Sequence, residues 1–189
     1  ESVSFGLDHL KTFDDELSGQ IVLELETRGK ALLTHFSNDL TIYSHNQLYG
    51  RWYVVRRDKY PVTNRSLRLA LHTDTHSALL YSASDIAVLP TTELLSHPFL
   101  ARIGPDILDK AVTWRDVVRL LNAPERRRRK LAGLYLDQGF MAGIGNYLRS
   151  EILFDAGVNP HKRPVDLSQI ELNRLARSTL TISRRAYET

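Results

Sequence analysis

The densest chemical signal in the sequence is the segment Leu136-Asp137-Gln138-Gly139-Phe140-Met141-Ala142-Gly143-Ile144-Gly145-Asn146-Tyr147-Leu148-Arg149. Its pattern predicts a helix that ends, two tight turns, and a second helix with Asn146 at its N-cap. Glycines at 143 and 145 permit positive φ and let another backbone come close. A helix start presents unpaired N–H groups and the positive end of a dipole, which suits a phosphate. An ordinary glycine-rich turn between two helices fits the same residues. Three other places join this one. Lys30 follows Gly29 at a strand start, where a lysine usually serves as an exposed edge charge. Gln47-Leu48-Tyr49 are expected at a hairpin tip. An amide, an aliphatic group and an aromatic together there suit a wedge filling the hole left by an extruded base; a tip packed on its neighbouring sheet is the alternative. Arg102 offers a planar guanidinium for a phosphate, or is a plain surface arginine. The run Arg126-Arg127-Arg128-Arg129-Lys130 promises less. At about 100° per residue five consecutive helical positions surround the axis, so they cannot all face one groove, and one or two are expected to touch phosphate.

Other chemistries find no footing. The 189 residues contain no cysteine, which excludes disulfides and cysteine-ligated metal within them. The seven histidines are scattered, and the only pair four apart, His72 and His76, flanks a strand break. No paired-carboxylate, nucleophile–base or phosphate-loop signature is present. No apolar run reaches the roughly 18 residues of a membrane span. The opening Glu1-Ser2-Val3-Ser4-Phe5 does not read as a signal peptide, so a reducing cytoplasm is the expected compartment. With 42% hydrophobic and 25% charged residues the chain is globular. Its net charge of +3 hides an asymmetry. Residues 1–100 hold 9 basic against 12 acidic side chains and residues 101–189 hold 16 against 10. The second half therefore suits a polyanion, though a solvated basic surface carries the same charge.

The elements that must position these residues fall into two kinds. The first half alternates with period two over 20–26, 31–36, 40–44, 51–55, 66–71 and 77–81, short runs separated by turn residues such as Thr27-Arg28-Gly29 and Ser37-Asn38-Asp39. Such spacing predicts an antiparallel sandwich or barrel. The second half moves to a period near 3.6. Thr113 is the expected N-cap of a helix over 114–122. Pro124 restarts a helix to about Gln138, with Leu131, Leu134, Tyr135 and Gln138 in one stripe. A further helix covers 146–156 and stops at Gly157, and Ser168-Gln169-Ile170-Glu171 is a capping box for the last one. The expected fold is α+β in two domains, an antiparallel β-sandwich over 1–103 followed by a helical domain over 104–189 with a helix–two-turns–helix motif.

Taken in order, four of these segments resemble the bacterial formamidopyrimidine-DNA glycosylase and endonuclease VIII family of base-excision enzymes. They are Glu26-Thr27-Arg28-Gly29-Lys30-Ala31-Leu32-Leu33, His45-Asn46-Gln47-Leu48-Tyr49-Gly50, His97-Pro98-Phe99-Leu100-Ala101-Arg102-Ile103-Gly104-Pro105-Asp106, and Leu134–Pro160. The loop at 45–50 is similar to the void-filling loop of the endonuclease VIII branch. The resemblance implies a bifunctional glycosylase and AP lyase acting on oxidised pyrimidines in damaged double-stranded DNA, as a monomer, with no membrane partner. It implies that Lys30 contacts phosphate and assists β-elimination, that Gln47, Leu48 and Tyr49 fill the void, and that Arg102 and Asn146 bind DNA. The rival reading is a noncatalytic DNA- or RNA-binding module.

The sequence departs from the family in two respects. The family nucleophile is an N-terminal proline amine followed by a glutamate, whereas these residues begin Glu1-Ser2 and contain no Pro-Glu-Gly-Pro segment. Glu1 is therefore no candidate for the catalytic glutamate. The cysteine-ligated zinc finger of the family is absent too, so no cofactor is expected within these residues and zinc only in a complete protein. A truncated glycosylase, itself inactive, is the favoured explanation, and a naturally reduced paralogue the other.

Overall fold

A computed structural model describes residues 2–188; Glu1, set aside above, and Thr189 lie outside the described residues. The chain divides into two compact units, Glu1–Ala101 and Arg102–Thr189.

The first unit contains β1 (Ser2–Phe5), a short helix α1 (Asp14–Leu17), β2 (Val22–Arg28), β3 (Ala31–Phe36), β4 (Leu40–His45), β5 (Arg51–Arg56), β6 (Leu67–His72), β7 (His76–Tyr81) and β8 (Asp85–Pro90). The strands form two antiparallel sheets, ordered β1-β6-β7-β5 and β2-β3-β4-β8. Val3, Phe5, Phe36, Ile42, Leu69, Leu80 and Ile86 fill one core, with Leu10 and Leu17 from the segment around α1. A second, smaller cluster joins Ala31, Leu33, Tyr43 and Leu100, with Leu94 and Phe99 packed against it. Residues 94–100 thus shield the other face of β3 and β4, so these strands bury both faces and lose strict alternation. Sequence reading passed over β1 and β8. The first is only four residues long, and the second ends on Pro90 at a sheet edge, where a missing N–H is tolerated.

The first unit alters two expectations. Arg28 pairs with Ala31, so the turn after β2 is Gly29-Lys30 rather than 27–29. The segment 46–50 is not a hairpin tip. β4 pairs with β3 and β8, whereas β5 pairs with β7 in the other sheet. The chain crosses between sheets there, and local alternation cannot distinguish a crossing from a reversal.

The second unit contains α2 (Trp114–Asn122), α3 (Leu131–Leu134), α4 (Asn146–Asp155) and α5 (Gln169–Glu188). Thr113 caps α2 in a reciprocal box with Asp116. At the end of α4, Val158 N–H reaches Leu153 O at 3.0 Å and Gly157 N–H reaches Phe154 O at 2.9 Å, the paired bonds of a Schellman stop. The long helix expected from Pro124 to Gln138 is replaced by turns and the single-turn α3. Lys130 is extended, with φ −62° and ψ 136°. This frees Leu131 N–H and Ala132 N–H to donate to Lys162 O and Pro160 O, both at 2.9 Å. Tertiary hydrogen bonds override the helical period here. Leu131, Leu134 and Tyr135 still enter the core with Phe140, Ile152 and Leu175.

Ser168 and Glu171 form the capping box before α5. The Ser168 N–H and hydroxyl donate to Glu171 Oε2 at 2.7 and 2.9 Å, and Lys162 Nζ donates to Oε1 at 3.1 Å. The Ser168 N–H, its hydroxyl and Lys162, in that order, hold the Glu171 carboxyl down at about 2, against 4.5 ordinarily. The depressed value means that its stabilisation is complete above about 4.5 and is lost as pH falls toward 2. Glu171→Gln is therefore expected to flatten the acid limb of the thermal midpoint over that window. An acid limb identical to that of the parent protein would show that the box does not couple to folding.

Candidate nucleic-acid interface

The end of the β2-β3-β4-β8 sheet gathers the sequence-predicted residues of the first unit. Ala31 opposes His45, and His45 opposes Asp85. The Gly29-Lys30 turn, the 46–50 crossing and the 82–84 crossing therefore lie at one end. Ser84 Oγ donates to Gln47 Oε1 at 3.0 Å, tying the two crossings together. Gly50 N–H donates to Asn46 O at 2.7 Å, closing the loop. A Cβ on Gly50 would stand 2.4 Å from that same oxygen, so the closure admits only glycine. Arg65 donates to Tyr49 O. Leu48 and Tyr49 are nonetheless 79% and 67% exposed. They stand out from the sheet, contrary to the packed-tip alternative.

Beneath the loop lies a polar group that sequence reasoning missed. Gln47 N–H donates to His45 Nδ1 at 3.1 Å, and Tyr43 hydroxyl donates to Asp85 Oδ2 at 3.2 Å. Burial pushes the Tyr43 hydroxyl well up, and the Asp85 carboxylate adds to it. Burial pushes His45 below its ordinary value; Asp85 opposes this and Lys30 reinforces it. Lys30 is itself lowered by desolvation. Only strand register places these side chains together, so residue type and spacing gave no warning.

In the second unit, the helix–two-turns–helix is held by Gln138, which sequence reading assigned to a helical stripe. Its amide donates to Ile144 O at 2.9 Å and to Leu136 O at 3.3 Å, and its Oε1 accepts Gly143 N–H at 3.0 Å. Gly143 has φ +95°, which few other residues adopt. The segment after Arg102 is laid along these turns. Gly104 N–H reaches Gln138 O at 2.8 Å, Ala142 N–H reaches Pro105 O at 2.8 Å and Ile107 N–H reaches Ala142 O at 3.1 Å. Arg102, exposed, thus starts the strip that borders the turns leading to Asn146.

Asn146 is not the N-cap. Gly145 takes that position, in extended conformation, and no side chain caps α4. Asn146 is the first helical residue and its side chain is exposed. Arg149 N–H is the one that reaches Gly145 O, at 2.9 Å. The N–H groups before Arg149 have no acceptor within the helix, and no acidic residue lies among them. The arrangement suits an anion. The basic run is not a helix. Arg126 donates to Gly139 O at 3.2 Å and Arg129 pairs with Asp137, so two of its five cations brace the turns. Arg127, Arg128 and Lys130 are exposed.

Comparison with known proteins bears on both units. Residues 3–84 match the family model described as the formamidopyrimidine-DNA glycosylase N-terminal domain, and residues 103–189 match that of the formamidopyrimidine-DNA glycosylase H2TH domain. The chain is 50% identical over 187 residues to Endonuclease 8 of Salmonella schwarzengrund strain CVM19633, covering 99% of this chain and 71% of the relative. It is 50% identical over 185 residues to Endonuclease 8 of Enterobacter sp. strain 638, covering 98% and 70%. Among solved structures, Lactococcus lactis formamidopyrimidine-DNA glycosylase bound non-covalently to DNA containing an AP site superposes with a TM-score of 0.84 at 19% identity, over 99% of this chain and 73% of that one. That likeness concerns the fold.

Gln138→Ala removes two bonds across the turns, to Ile144 and Gly143, and a local one to Leu136 O. A net value of about 1 kcal/mol each, with partners left unpaired, leads to an expected loss of about 2–4 kcal/mol, read as a lower denaturant midpoint. An unchanged midpoint would show that the turns are held without it.

Proposed function

Because the chain belongs to the formamidopyrimidine-DNA glycosylase family and matches Endonuclease 8 proteins at 50% identity, we propose that it is the core of a base-excision repair glycosylase and AP lyase of the endonuclease VIII type, removing oxidised pyrimidines from damaged duplex DNA. The observation that carries this reading is the braced loop at the end of the sheet. Two large apolar side chains, Leu48 and Tyr49, stand exposed on a crossing closed at Gly50 and tied at Gln47, beside the Gly29-Lys30 turn. A passive surface loop has no use for two large exposed apolar groups, whereas an enzyme that flips a base must refill the stack it opens.

The geometry supports the following roles. Leu48 and Tyr49 restore stacking contact, and the Gln47 amide meets the orphaned base edge. Lys30 places a cation near a backbone phosphate and, in the family manner, assists β-elimination. Arg102 and the open start of α4 at Asn146 hold phosphates. Such contacts position the duplex and carry no sequence information. The 189 residues include no Pro-Glu-Gly-Pro segment, so the amine nucleophile implied by the family is not among them. By themselves they are expected to bind DNA without forming a Schiff base. Zinc has no fit here: there is no cysteine, and among the described residues no group of three or more His, Asp or Glu could hold a metal. Among the described residues no helix is long and apolar enough to cross a membrane. The proposed setting is the bacterial cytoplasm, with the protein acting as a monomer on DNA.

Borohydride trapping separates this reading from its rival. The full-length gene product is expected to trap covalently on duplex containing an oxidised pyrimidine, and the 189 residues alone are not. A full-length product that binds duplex or RNA equally well and never traps would identify a noncatalytic module.

Leu48→Ala tests the wedge in the full-length product. Excision from paired duplex is expected to fall more than tenfold, and excision from a single-stranded lesion much less, because single strand needs no refilling. Since Leu48 is exposed, stability is expected to change by under about 0.5 kcal/mol. Equal loss on both substrates ends the wedge assignment.

A further inference from the structure

In the loop that carries Leu48 and Tyr49, the Ser84 hydroxyl holds the Gln47 side chain, and one imidazole holds the Gln47 backbone. Gln47 holds φ +52°, a left-handed conformation that a non-glycine residue keeps only when its surroundings impose it. Its N–H points at His45 Nδ1, 3.1 Å away. For Nδ1 to accept that bond the ring must be neutral, with its proton on Nε2. The opposite side of the choice is also present. Asp85 Oδ2 lies 3.9 Å from the same Nδ1 and already accepts the Tyr43 hydroxyl at 3.2 Å. A ring protonated at Nδ1 can no longer accept from Gln47 and gains attraction to Asp85. One nitrogen therefore cannot serve both neighbours.

The groups facing this ring come from several elements. Asp85 on β8 favours protonation, and the Lys30 ammonium on the β2–β3 turn opposes it, as does burial. The Phe99 ring lies 5.5 Å from the His45 ring and adds no charge. Tyr43, on the same strand as His45, meets His97 at 4.0 Å between ring centroids. His97 repeats the device, accepting Phe99 N–H on its own Nδ1 at 3.3 Å. Two imidazoles thus hold backbone two residues onward, His45 at Gln47 and His97 at Phe99, whose ring meets that of His45.

We propose that His45 is the positioning residue of the wedge: when neutral, its Nδ1 holds Gln47 and fixes Leu48 and Tyr49 outward, and when protonated it releases Gln47 and turns toward Asp85. The proposal rests on the reading of 46–50 as a wedge. It makes lesion engagement sensitive to mild acid through loop order rather than through the reacting groups. The loss runs downward in pH, because the neutral ring is the one that holds the loop.

The experiment has two readouts on the full-length gene product and two variants. In His45→Asn the amide oxygen can accept the same N–H but does not titrate. In His45→Phe the acceptor is gone. First, backbone order at Gln47 and Leu48 is followed by 15N relaxation, together with the His45 ring titration. The parent protein is expected to move from rigid values near 0.85 to below about 0.6 as the ring protonates. His45→Asn is expected to stay rigid throughout, and His45→Phe to be mobile throughout. Second, the affinity ratio for a duplex with a tetrahydrofuran abasic analogue over an intact duplex is measured across the same range. It is expected to fall about fivefold in the parent, the worth of one hydrogen bond, and not in His45→Asn. Loop order that ignores the ring titration, or a His45→Phe loop as rigid as the parent's, overturns the proposal whatever the DNA shows. Loop order that follows the ring while the affinity ratio stays flat supports His45 as the anchor and removes the wedge reading instead.

Discussion

The pairing of β4 with a neighbour on each side is the constraint on which the first unit depends. Ala31 opposite His45 and His45 opposite Asp85 bring one turn and two inter-sheet crossings to the same end of one sheet. A slip of one residue would invert every side chain of a strand. It would turn Tyr43, fully buried, and Ile42, fully buried on the opposite face, each toward the wrong layer. The burial of both faces of β4 therefore locks the register, and the register puts Lys30 and Gln47 at one end. The chemistry at the edge is fixed by the packing of the middle.

The second unit solves a different problem, which is to leave a helix end open while holding it still. A capped start would be more stable but would spend its N–H groups on a side chain. Here Gly145 occupies the cap position and contributes none. Rigidity is supplied instead from behind, by the Gln138 amide across the turns, by the 104–107 strip along them, and by Arg126 and Arg129 against Gly139 and Asp137. Two of the five cations in the conspicuous basic run are thereby explained as bracing. The positive balance of residues 101–189 remains a field favourable to a polyanion, but the two braced arginines are partly spent on structure.

Electrostatics at the sheet end are set by desolvation more than by pairing. Lys30 and His45 are both lowered chiefly by the surrounding protein, and Tyr43 is raised by it. Each of these shifts favours the uncharged form. Asp85 adds to the shift at Tyr43, whose hydroxyl it accepts, and opposes it at His45. Lys30, though exposed, holds its proton less firmly than an ordinary lysine, which suits a group proposed to work near a reacting sugar rather than only on a phosphate.

The sequence by itself determined the two halves, six of the eight strands to within two residues, the Thr113 and Ser168 caps, the stop at Gly157 and the family. These follow from local rules: period, capping chemistry and the glycine at C′. The motif residues Lys30, Gln47, Leu48, Tyr49, Arg102 and Asn146 were legible as residues, but their settings were not. Tertiary structure alone decided that 46–50 crosses between sheets, that His45 and Asp85 lie under it, that Gly145 rather than Asn146 caps α4, and that the helix after Pro124 breaks at Lys130. The physical reason is common to all four. Each depends on a hydrogen-bond partner distant in sequence or on a choice between neighbouring residues with equal local propensity, as when Leu131 and Ala132 donate to Lys162 and Pro160. A local pattern has no access to a bond whose acceptor is thirty residues away.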